Sequence, residues 1–259
     1  QATDVGVDLH TATRAVGIEH TADGVRITAE HNGRDLVYTA RLVVGADGPR
    51  SLVANFLDLP APIEVLRARG ADVRLPHCDA VDQVQIFVGQ RYAPGFFAWI
   101  IPLGGDRFRI GWGMSGMADH GGHLENLIAD YPDVFRDIEI LTQTGGLIPV
   151  GPRPLTAGDH GMVVGDAAGQ AKPTSGGGLY TSLTCAAHCA ETAITALTRG
   201  DTTGATLSAY DRSWRADIGQ ELMRSVALRR AYRELTDDEL EWGLRLLRIP
   251  GMVRLVNRY

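Results

Sequence analysis

Two short apolar segments of this sequence end in a Gly-Asp pair, and the second pair restricts the fold most. Residues 163–169 read Val-Val-Gly-Asp-Ala-Ala-Gly, and residues 173–179 read Pro-Thr-Ser-Gly-Gly-Gly-Leu. This pattern predicts a strand that delivers Asp166 at its carboxyl end, followed by a loop of small residues that lets a bulky group approach the backbone. A glycine-rich helix start follows, and the first N–H groups of such a helix have no partner within it.

The predicted helix start at Gly176, Gly177 and Gly178 suits an electron-rich acceptor, such as the N1/O2 edge of a reduced flavin ring, because a helix N-terminus carries partial positive charge. Asp166 is placed to accept a hydrogen bond from a ribityl or ribose hydroxyl. The structural alternative is a tight glycine turn with a capping aspartate. The combination of strand, acid, small loop and glycine-rich helix start favours the cofactor interpretation.

The first Gly-Asp pair follows the same logic. Residues 43–51 read Val-Val-Gly-Ala-Asp-Gly-Pro-Arg-Ser, which predicts an apolar strand, a tight turn and a helix over residues 49–57 with proline at an early helical position. Asp47 either caps this helix or holds part of a cofactor. Its spacing from the second motif favours the cofactor role.

The rest of the chain alternates β-rich and helical text. Residues 12–44 predict a β meander with a hairpin turn at Asn32-Gly33, since a type I′ turn needs positive φ at both central residues. Residues 63–114 predict wide antiparallel strands. Helices are predicted over residues 123–130, 176–197, 207–233 and 237–247. The helix over residues 176–197 is inferred from apolar residues at helical spacing, namely Leu179, Leu183, Ala186, Ala187, Ala190 and Ile194. Two core strands separated by a β-rich insert predict one interleaved unit.

The two Gly-Asp motifs together resemble those of the p-hydroxybenzoate hydroxylase-like flavoprotein superfamily. Between them, Phe97-Ala98-Trp99-Ile100-Ile101-Pro102 is followed by eight residues and then Gly111-Trp112-Gly113. This stretch is similar to the YxWxFPx8GxG signature of the geranylgeranyl reductase family. Residues 168–178 resemble that family's version of the second loop, with Gly169 where aromatic hydroxylases usually carry histidine. The resemblance extends from about residue 12 to the end of the chain.

The resemblance implies an α/β fold with an α+β insert, in which a split Rossmann-like FAD-binding domain is interleaved with an antiparallel β-sheet substrate domain. It assigns residues 1–60 and 149–200 to the FAD-binding domain, residues 61–148 to the substrate domain and residues 201–259 to a C-terminal helical region. The implied cofactor-binding residues are Asp47, Gly48, Gly165, Asp166, Ala167, Gly169, Pro173, Gly176, Gly177 and Gly178. The implied substrate-binding residues are Phe97, Trp99, Pro102, Gly111 and Gly113.

The implied reaction is the reduction of isolated C=C bonds in a polyprenyl chain by hydride transfer from reduced FAD. NAD(P)H or ferredoxin would supply the electrons, and no catalytic residue or proton donor is identified. The odd number of cysteines suggests a reducing compartment, so a cytoplasmic protein is expected. An isoprenoid lipid substrate implies peripheral membrane contact. The sequence does not predict the oligomeric state, the lipid, or the number of bonds reduced.

The sequence departs from the family pattern at three places. Phe97 stands where the signature prefers tyrosine, which removes any role for a hydroxyl there, and Ile101 stands where it prefers phenylalanine. No GxGxxG segment precedes the first Gly-Asp motif, where the family has the one that cradles the FAD pyrophosphate; the match at residues 111–116 falls in the signature region. We therefore expect an N-terminally truncated chain that holds the flavin-ring side of the site and binds FAD weakly.

The composition and the residue spacing give no support for nucleic-acid binding or for a metal site. A formal net charge of −6 without a basic stripe gives no reason to expect nucleic acid. The scattered histidines show no metal-ligand spacing, so no metal site is predicted. Cys185 and Cys189 are expected to be buried thiols, and His188 a surface or satisfied core residue. Glu221, Arg224, Arg229 and Arg230 are expected to form a solvated helix face.

Two alternative functions stay open at this stage. A flavin-dependent monooxygenase or halogenase acting on an aromatic substrate would share both Gly-Asp motifs, although Gly169 and the segment from Trp99 to Pro102 disfavour it. The other is an orphaned fragment without activity. The three aromatic residues at positions 96, 97 and 99 are also compatible with an ordinary sheet core.

Overall fold

The computed structural model describes residues 3–116 and 122–247. Its strands are β1 (Thr13–Thr21), β2 (Gly24–His31), β3 (Arg34–Ala40), β4 (Val43–Gly45), β5 (Glu64–Arg74), β6 (Gln85–Val88), β7 (Phe97–Gly104), β8 (Arg107–Met114), β9 (Glu139–Val150), β10 (Ala157–Gly158) and β11 (Gly161–Val163). Its α-helices are α1 (Leu52–Phe56), α2 (His123–Asp130), α3 (Pro132–Phe135), α4 (Leu179–Arg199), α5 (Gly204–Trp214), α6 (Gln220–Arg233) and α7 (Asp237–Leu247). The predicted α/β class with antiparallel sheets and C-terminal helices is confirmed.

The chain forms two compact units, and two separate segments contribute to each. The first unit combines the chain up to Ile63 with Pro149–Met223, and the second combines Glu64–Ile148 with the chain from Arg224 onward. The four domain ranges drawn from the sequence stay a prediction.

In the first unit, β1, β2 and β3 form an antiparallel meander. Its second hairpin turns at Asn32 and Gly33, whose φ angles are 50° and 74°. Both values are positive, so the type I′ turn predicted from the Asn-Gly pair is confirmed.

A second sheet of the first unit has the order β10-β11-β4. Strand β11 is parallel to β4, and Val163 stands opposite Gly45. Helices α4 and α5 pack against this sheet through a buried cluster that includes Met162, Val164, Cys185, Cys189, Leu207, Tyr210 and Trp214. The two thiols are buried as expected.

Helix α1 is shorter than the sequence predicts. It begins at Leu52, with Ser51 as its N-cap, so Pro49 lies in the preceding turn rather than within the helix. The Ser51 hydroxyl accepts a hydrogen bond from the Ala54 amide at 2.9 Å. This cap satisfies one of the orphan donors of the helix start, and it sets the boundary that the proline alone did not reveal.

Helix α4 buries a different face from the one that carries its large apolar residues. Its buried positions are Thr181, Cys185, Cys189, Thr192 and Ala196. Leu179 is 79% exposed and Leu183 is 65% exposed. The apolar spacing correctly predicts a helix, but the closely packed side is built from small residues.

Helices α5 and α6 replace the single helix predicted over residues 207–233. A π-helical turn at Arg215–Gly219 joins them, and α5 begins earlier than expected, at Gly204. Helix α7 has the predicted bounds. Among the described residues, no helix combines the length and the apolar character that a membrane crossing requires.

The second unit is built on a five-stranded sheet with the order β6-β7-β8-β5-β9. Helices α2 and α3 cover one face, where Leu127 and Phe135 pack with buried strand residues that include Val73, Ala98, Ile100, Phe108 and Ile110. Because side chains alternate along a strand, Phe97 and Trp99 lie on the opposite face. We call this surface the aromatic face; it is formed by Phe97, Trp99, Gly111, Gly113 and Gly70.

Candidate functional site

The two Gly-Asp motifs lie at the same edge of the parallel strand pair in the first unit. Each of β4 and β11 is followed by its motif, and the Val164 amide donates to the Gly45 carbonyl at 2.9 Å. Carboxyl ends of parallel strands are the usual ligand-binding edge of an α/β sheet. The structure therefore brings together two motifs that are far apart in the sequence.

Asp47 acts as a helix cap in this structure. Its Oδ2 accepts from the Leu52 amide at 2.7 Å and from the Val53 amide at 3.3 Å. This is the first of the two roles that the sequence left open. Gly48 has φ of 77° and open space around it. A cofactor role for these two residues stays a prediction.

Asp166 has a different environment. Its carboxylate is partly buried, burial raises its pKa, and it has no hydrogen-bond partner among the described residues. Gly178, at the start of α4, is so close that a Cβ there would stand 3.4 Å from Oδ1. Burying a polar group without a partner costs free energy. The role of Asp166 as an acceptor for a cofactor hydroxyl stays a prediction.

The N-terminus of α4 has no side-chain cap. Gly178 is its N-cap, and among the described residues no side chain makes a capping hydrogen bond there. Upstream, the loop closes on itself: the Lys172 amide donates to the Gly177 carbonyl at 2.9 Å, and the Gly176 amide donates to the Lys172 carbonyl at 2.8 Å. Gly176 has φ of 69°, which favours glycine at that turn. Pro173 is buried.

A buried hydrogen-bond chain holds the loop that carries Asp166. The Gly165 amide donates to Oε1 of Gln170 at 2.8 Å, and Nε2 of Gln170 donates to the Tyr210 hydroxyl at 3.1 Å. On the other side, Nε of the buried Arg153 donates to the Ala167 carbonyl at 2.7 Å. The sequence analysis missed both Arg153 and Gln170 as supports, because no local pattern marks a side chain that bonds to a distant carbonyl.

Two of the predicted cofactor-contact residues, Ala167 and Gly169, are packed closely against other parts of the protein, and their cofactor role stays a prediction. Ala167 is fully buried with Val53, Ala54 and Val163, so its methyl group packs in the core. Gly169 has φ of 70°, and a Cβ there would stand 2.8 Å from the Gly151 carbonyl oxygen. Glycine is therefore required at position 169 by local packing, whatever its role toward a ligand.

On the aromatic face of the second unit, rings lie over glycines. Trp99 stands opposite Gly111 across β7 and β8, and a Cβ on Gly111 would come within 2.4 Å of Cζ2 of the indole. A Cβ on Gly113 would come within 2.4 Å of Cδ1 of Phe96. Both glycines of the signature thus leave the room that two aromatic rings occupy.

The aromatic residues form a continuous contact. The rings of Phe96 and Phe97 stack with centroids 4.2 Å apart, and Phe97 meets Trp99 edge-on at 5.8 Å. Beside Trp99 lies a hollow of about 150 Å³ that Gly70, Thr144, Gly145 and Gly146 also line. Pro102 does not join this group: it pairs with the buried Phe108, and strand alternation places it on the other face.

The expectation of a solvated helix face is wrong for Arg229. Its side chain is 3% exposed and paired with Glu64, whereas Arg224 and Arg230 are exposed. His188 is satisfied, with Nε2 at 2.9 Å from Oδ2 of Asp217. The helix carries mixed charges, and the partner that buries Arg229 comes from a strand far away in the sequence.

Comparison with known proteins agrees with this geometry. Residues 1–121 match an FAD-binding domain family. A digeranylgeranylglycerophospholipid reductase of Methanocaldococcus jannaschii is 30% identical over 250 residues, which cover 93% of this chain and 63% of that protein. A second such reductase, from Methanothermobacter thermautotrophicus, is 32% identical over 248 residues and is covered to 62%. These matches agree with the resemblance to geranylgeranyl reductases that the signature residues carry.

The structural comparison supports the same fold. A geranylgeranyl bacteriochlorophyll reductase-like protein from Thermoplasma acidophilum matches with a TM-score of 0.83 at 21% identity, over 92% of this chain and 62% of that chain. The flavin-dependent halogenase CmlS matches with a TM-score of 0.64 at 17% identity. The match to an FAD-binding domain supports FAD as the cofactor of this protein. The chain spans less than two thirds of the length of these relatives.

Proposed function

We propose that this chain provides the flavin-ring side and the substrate sheet of an enzyme that reduces isolated C=C bonds in a polyprenyl chain. The observation that carries the proposal is the packing of Trp99 over Gly111 on the aromatic face. It gives a physical role to two positions of the signature that geranylgeranyl reductases share. In this proposal, residues 1–60 and 149–200 serve FAD, and residues 61–148 serve the substrate.

On the cofactor side, Asp166 would accept a hydrogen bond from a ribityl hydroxyl, and the start of α4 would hold the N1/O2 edge of the ring. Partial positive charge at a helix start stabilises the negative charge that a flavin gains on reduction. Gly177 and Gly178 leave the backbone accessible to a flat ring. The remaining predicted contacts, from Asp47 and Gly48, belong to the same edge of the sheet.

On the substrate side, the aromatic face offers a surface for an alkene chain. An isolated alkene has no carbonyl to polarise, so the site needs no donor of the oxyanion-hole type. It needs a dry apolar slot that holds the double bond in place. Phe97 and Trp99 serve as walls, and Gly111 and Gly113 serve the site by leaving room for the rings of Trp99 and Phe96 against the sheet. Pro102 belongs to the support of the strand, on the opposite face.

The chemistry of the cofactor is hydride donation from N5 of the reduced flavin to one alkene carbon, while a proton reaches the other carbon. NAD(P)H or ferredoxin supplies the electrons in this proposal. The task of the chain's own residues is to bind, orient and exclude water. An isoprenoid lipid substrate brings the enzyme to a membrane surface.

A binding experiment tests the cofactor side with the 259-residue chain. Its proposed contacts are with the ring and the ribityl chain, so riboflavin and FAD should bind with similar affinity, and ADP should not compete. Flavin fluorescence measures both titrations. Competition by ADP, or loss of riboflavin binding with retention of FAD binding, would contradict the assignment of Asp166 and α4.

A reaction experiment tests the activity. FAD bound to the chain is reduced with dithionite without oxygen, and geranylgeraniol or a geranylgeranyl phospholipid is then added. Return of the oxidised flavin spectrum, with two hydrogens gained per reduced bond by mass spectrometry, supports the reductase. A flavin that is reoxidised only by oxygen, with oxygen or halogen incorporated into an aromatic compound, would favour the monooxygenase or halogenase alternative.

A further inference from the structure

A largely buried ion pair of the second unit lies close to Phe96, the ring packed over Gly113. Arg229 of α6 donates from Nε to Oε2 of Glu64 at 2.9 Å and from Nη2 to Oε1 at 3.1 Å. The side chains are 3% and 19% exposed. Arg233 adds a second positive charge 3.4 Å from the same carboxylate. This is a bidentate pair of the geometry that guanidinium and carboxylate groups form best.

The same guanidinium reaches the end of β8 and the aromatic residues. Nη2 also donates to the Ser115 hydroxyl at 2.8 Å, and its central carbon lies 5.4 Å from the centroid of the Phe96 ring. A cation over an aromatic face is attracted to it, and more strongly when both are out of water. Arg229 therefore fixes Phe96 against the sheet from one side, while Gly113 leaves room for the ring from the other.

From Phe96 the contacts continue to the proposed substrate wall. Phe96 stacks on Phe97 with an angle of 22° between the rings, and Phe97 contacts Trp99. Rings that are packed edge to face or stacked restrict each other's rotation. A displacement of Phe96 is therefore transmitted to Trp99 through Phe97.

The pair is a poor device for stability alone. Moving two charged groups out of water costs free energy, and the attraction between them often does no more than offset that cost. Proteins in which such a pair is replaced by apolar residues are frequently as stable. Here Nη1 of Arg229 and the hydroxyl of Tyr232 are also buried, and neither makes a hydrogen bond of good geometry among the described residues, although the two side chains lie close to each other. Such unsatisfied groups cost stability. A geometric role for the guanidinium accounts for this cost.

We propose that Arg229 and Glu64 are positioning residues for the aromatic wall, acting on Trp99 through Phe96 and Phe97. The inference rests on the proposed function, in which Phe97 and Trp99 contact the prenyl chain. Neither charged residue touches the substrate in this proposal. Their effect is to set the orientation of two rings.

The test compares R229K, R229M, the double variant E64L/R229M and F96L, with R230M as the control at an exposed position of α6. The environment of Trp99 is measured by tryptophan fluorescence and its quenching by acrylamide. Each protein is also made with W99F, and the difference between the two measurements gives the contribution of Trp99. Urea unfolding reports stability separately. The double variant removes both charges, so it leaves no buried charge without a partner and keeps the test possible if R229M does not fold.

We expect R229M, E64L/R229M and F96L to increase the quenching of Trp99 about twofold or more while the far-ultraviolet spectrum and the riboflavin affinity stay unchanged. Geranylgeraniol binding should weaken roughly three- to tenfold, the range that follows from the energy of one aromatic contact. R229K should restore only part of the parent chain's Trp99 protection and geranylgeraniol affinity, since the lysine ammonium lacks the planar, two-pronged donor geometry of a guanidinium. R230M should behave as the parent chain.

Two results separate the possible failures. Unchanged Trp99 quenching in folded E64L/R229M and F96L would overturn the positioning role, because that measurement needs no ligand. Changed quenching with no geranylgeraniol binding in the parent chain would support the positioning role and contradict the proposed function instead.

Discussion

The indole of Trp99 lies directly over Gly111, so close that a Cβ on this glycine would stand 2.4 Å from Cζ2 and 2.8 Å from the Arg69 carbonyl oxygen. No real side chain tolerates both contacts. The two residues are opposite each other on neighbouring strands, so they form one cross-strand unit in which glycine is the complement of the ring.

We therefore expect G111A to destabilise the chain by about 1–3 kcal/mol, the usual cost of overpacking, and to displace the indole. Urea unfolding measures the first effect and Trp99 emission the second. G146A is the matched control on β9, because nothing lies within 4 Å of a Cβ at Gly146. Equal effects of the two substitutions would show that the ring contact is not what matters.

Acid should lower the stability of the folded chain, in part through protonation of Glu64. Burial raises the pKa of this carboxyl, but hydrogen bonds from Arg229 and Ser115 and the nearby positive charges outweigh burial and leave the pKa lowered. A group whose pKa is depressed by folding contributes stability above its unfolded value, and that contribution is lost as the pH falls through the folded value.

The loss attributable to Glu64 should begin below the ordinary glutamate pKa of about 4.3. Asp72, Asp130, Asp201 and Glu239 also have lowered pKa values, so the total acid sensitivity belongs to several groups. The difference between the parent chain and E64Q, measured by urea unfolding from pH 7 to pH 3, isolates the Glu64 part. That difference should shrink with acid; a constant difference would contradict the prediction.

Asp166 and Asp47 should respond in opposite directions to the same change. Burial raises the pKa of Asp166, so its charged form opposes folding above that pKa and the opposition disappears as the pH falls through it. D166N should raise the urea midpoint at pH 7 and weaken riboflavin binding. A lower midpoint together with unchanged riboflavin binding would refute this assignment.

D47N is the counterpart, because Asp47 accepts two amide hydrogen bonds at the start of α1. Loss of its charge should lower stability by about 0.5–1 kcal/mol, as expected for a weakened helix cap. Urea unfolding at pH 7 measures it beside D166N. If both variants shift the midpoint in the same direction, the distinction between a cap and an unpartnered acceptor is wrong.

The thiols should resist modification in the folded chain. Burial raises the pKa of Cys185 to about 12 and that of Cys189 to about 11, and Cys78 is buried as well. Since the thiolate is the reactive form, an aromatic disulfide reagent at pH 8 should label none of the three until urea is added. Rapid labelling without denaturant would contradict the packing of α4.

Several elements were predictable because local rules decide them. The Asn32-Gly33 turn follows from the backbone freedom of its residues, and the β4 and β11 strands follow from apolar segments that end in glycine. The spacing between Trp99 and Gly111 marks the signature by itself. For the helices, periodicity predicts where α4 and α7 lie, since it depends only on the sequence within each segment.

Other features depend on contacts between residues that are far apart in the sequence. Asp47 and Asp166 stand in similar motifs but have different surroundings. Asp47 accepts hydrogen bonds from two amides at the start of α1. Within the described part of the chain, Asp166 has no such bond and lies beside the uncapped start of α4. The sequence places Pro102 next to the signature aromatics, but strand alternation turns it to the opposite face. Helix α4 buries Thr181, Thr192 and its two cysteines, whereas Leu179 and Leu183 are exposed.

Local chemistry in this sequence therefore determined the motifs, the turns and the kind of each element, because neighbouring residues are enough to fix backbone preferences. Only the tertiary structure decided that Arg229 is buried against Glu64 and Phe96, because a long charged helix residue is exposed or buried according to which strand packs against it. That information resides in contacts between residues 165 positions apart, which no local pattern encodes.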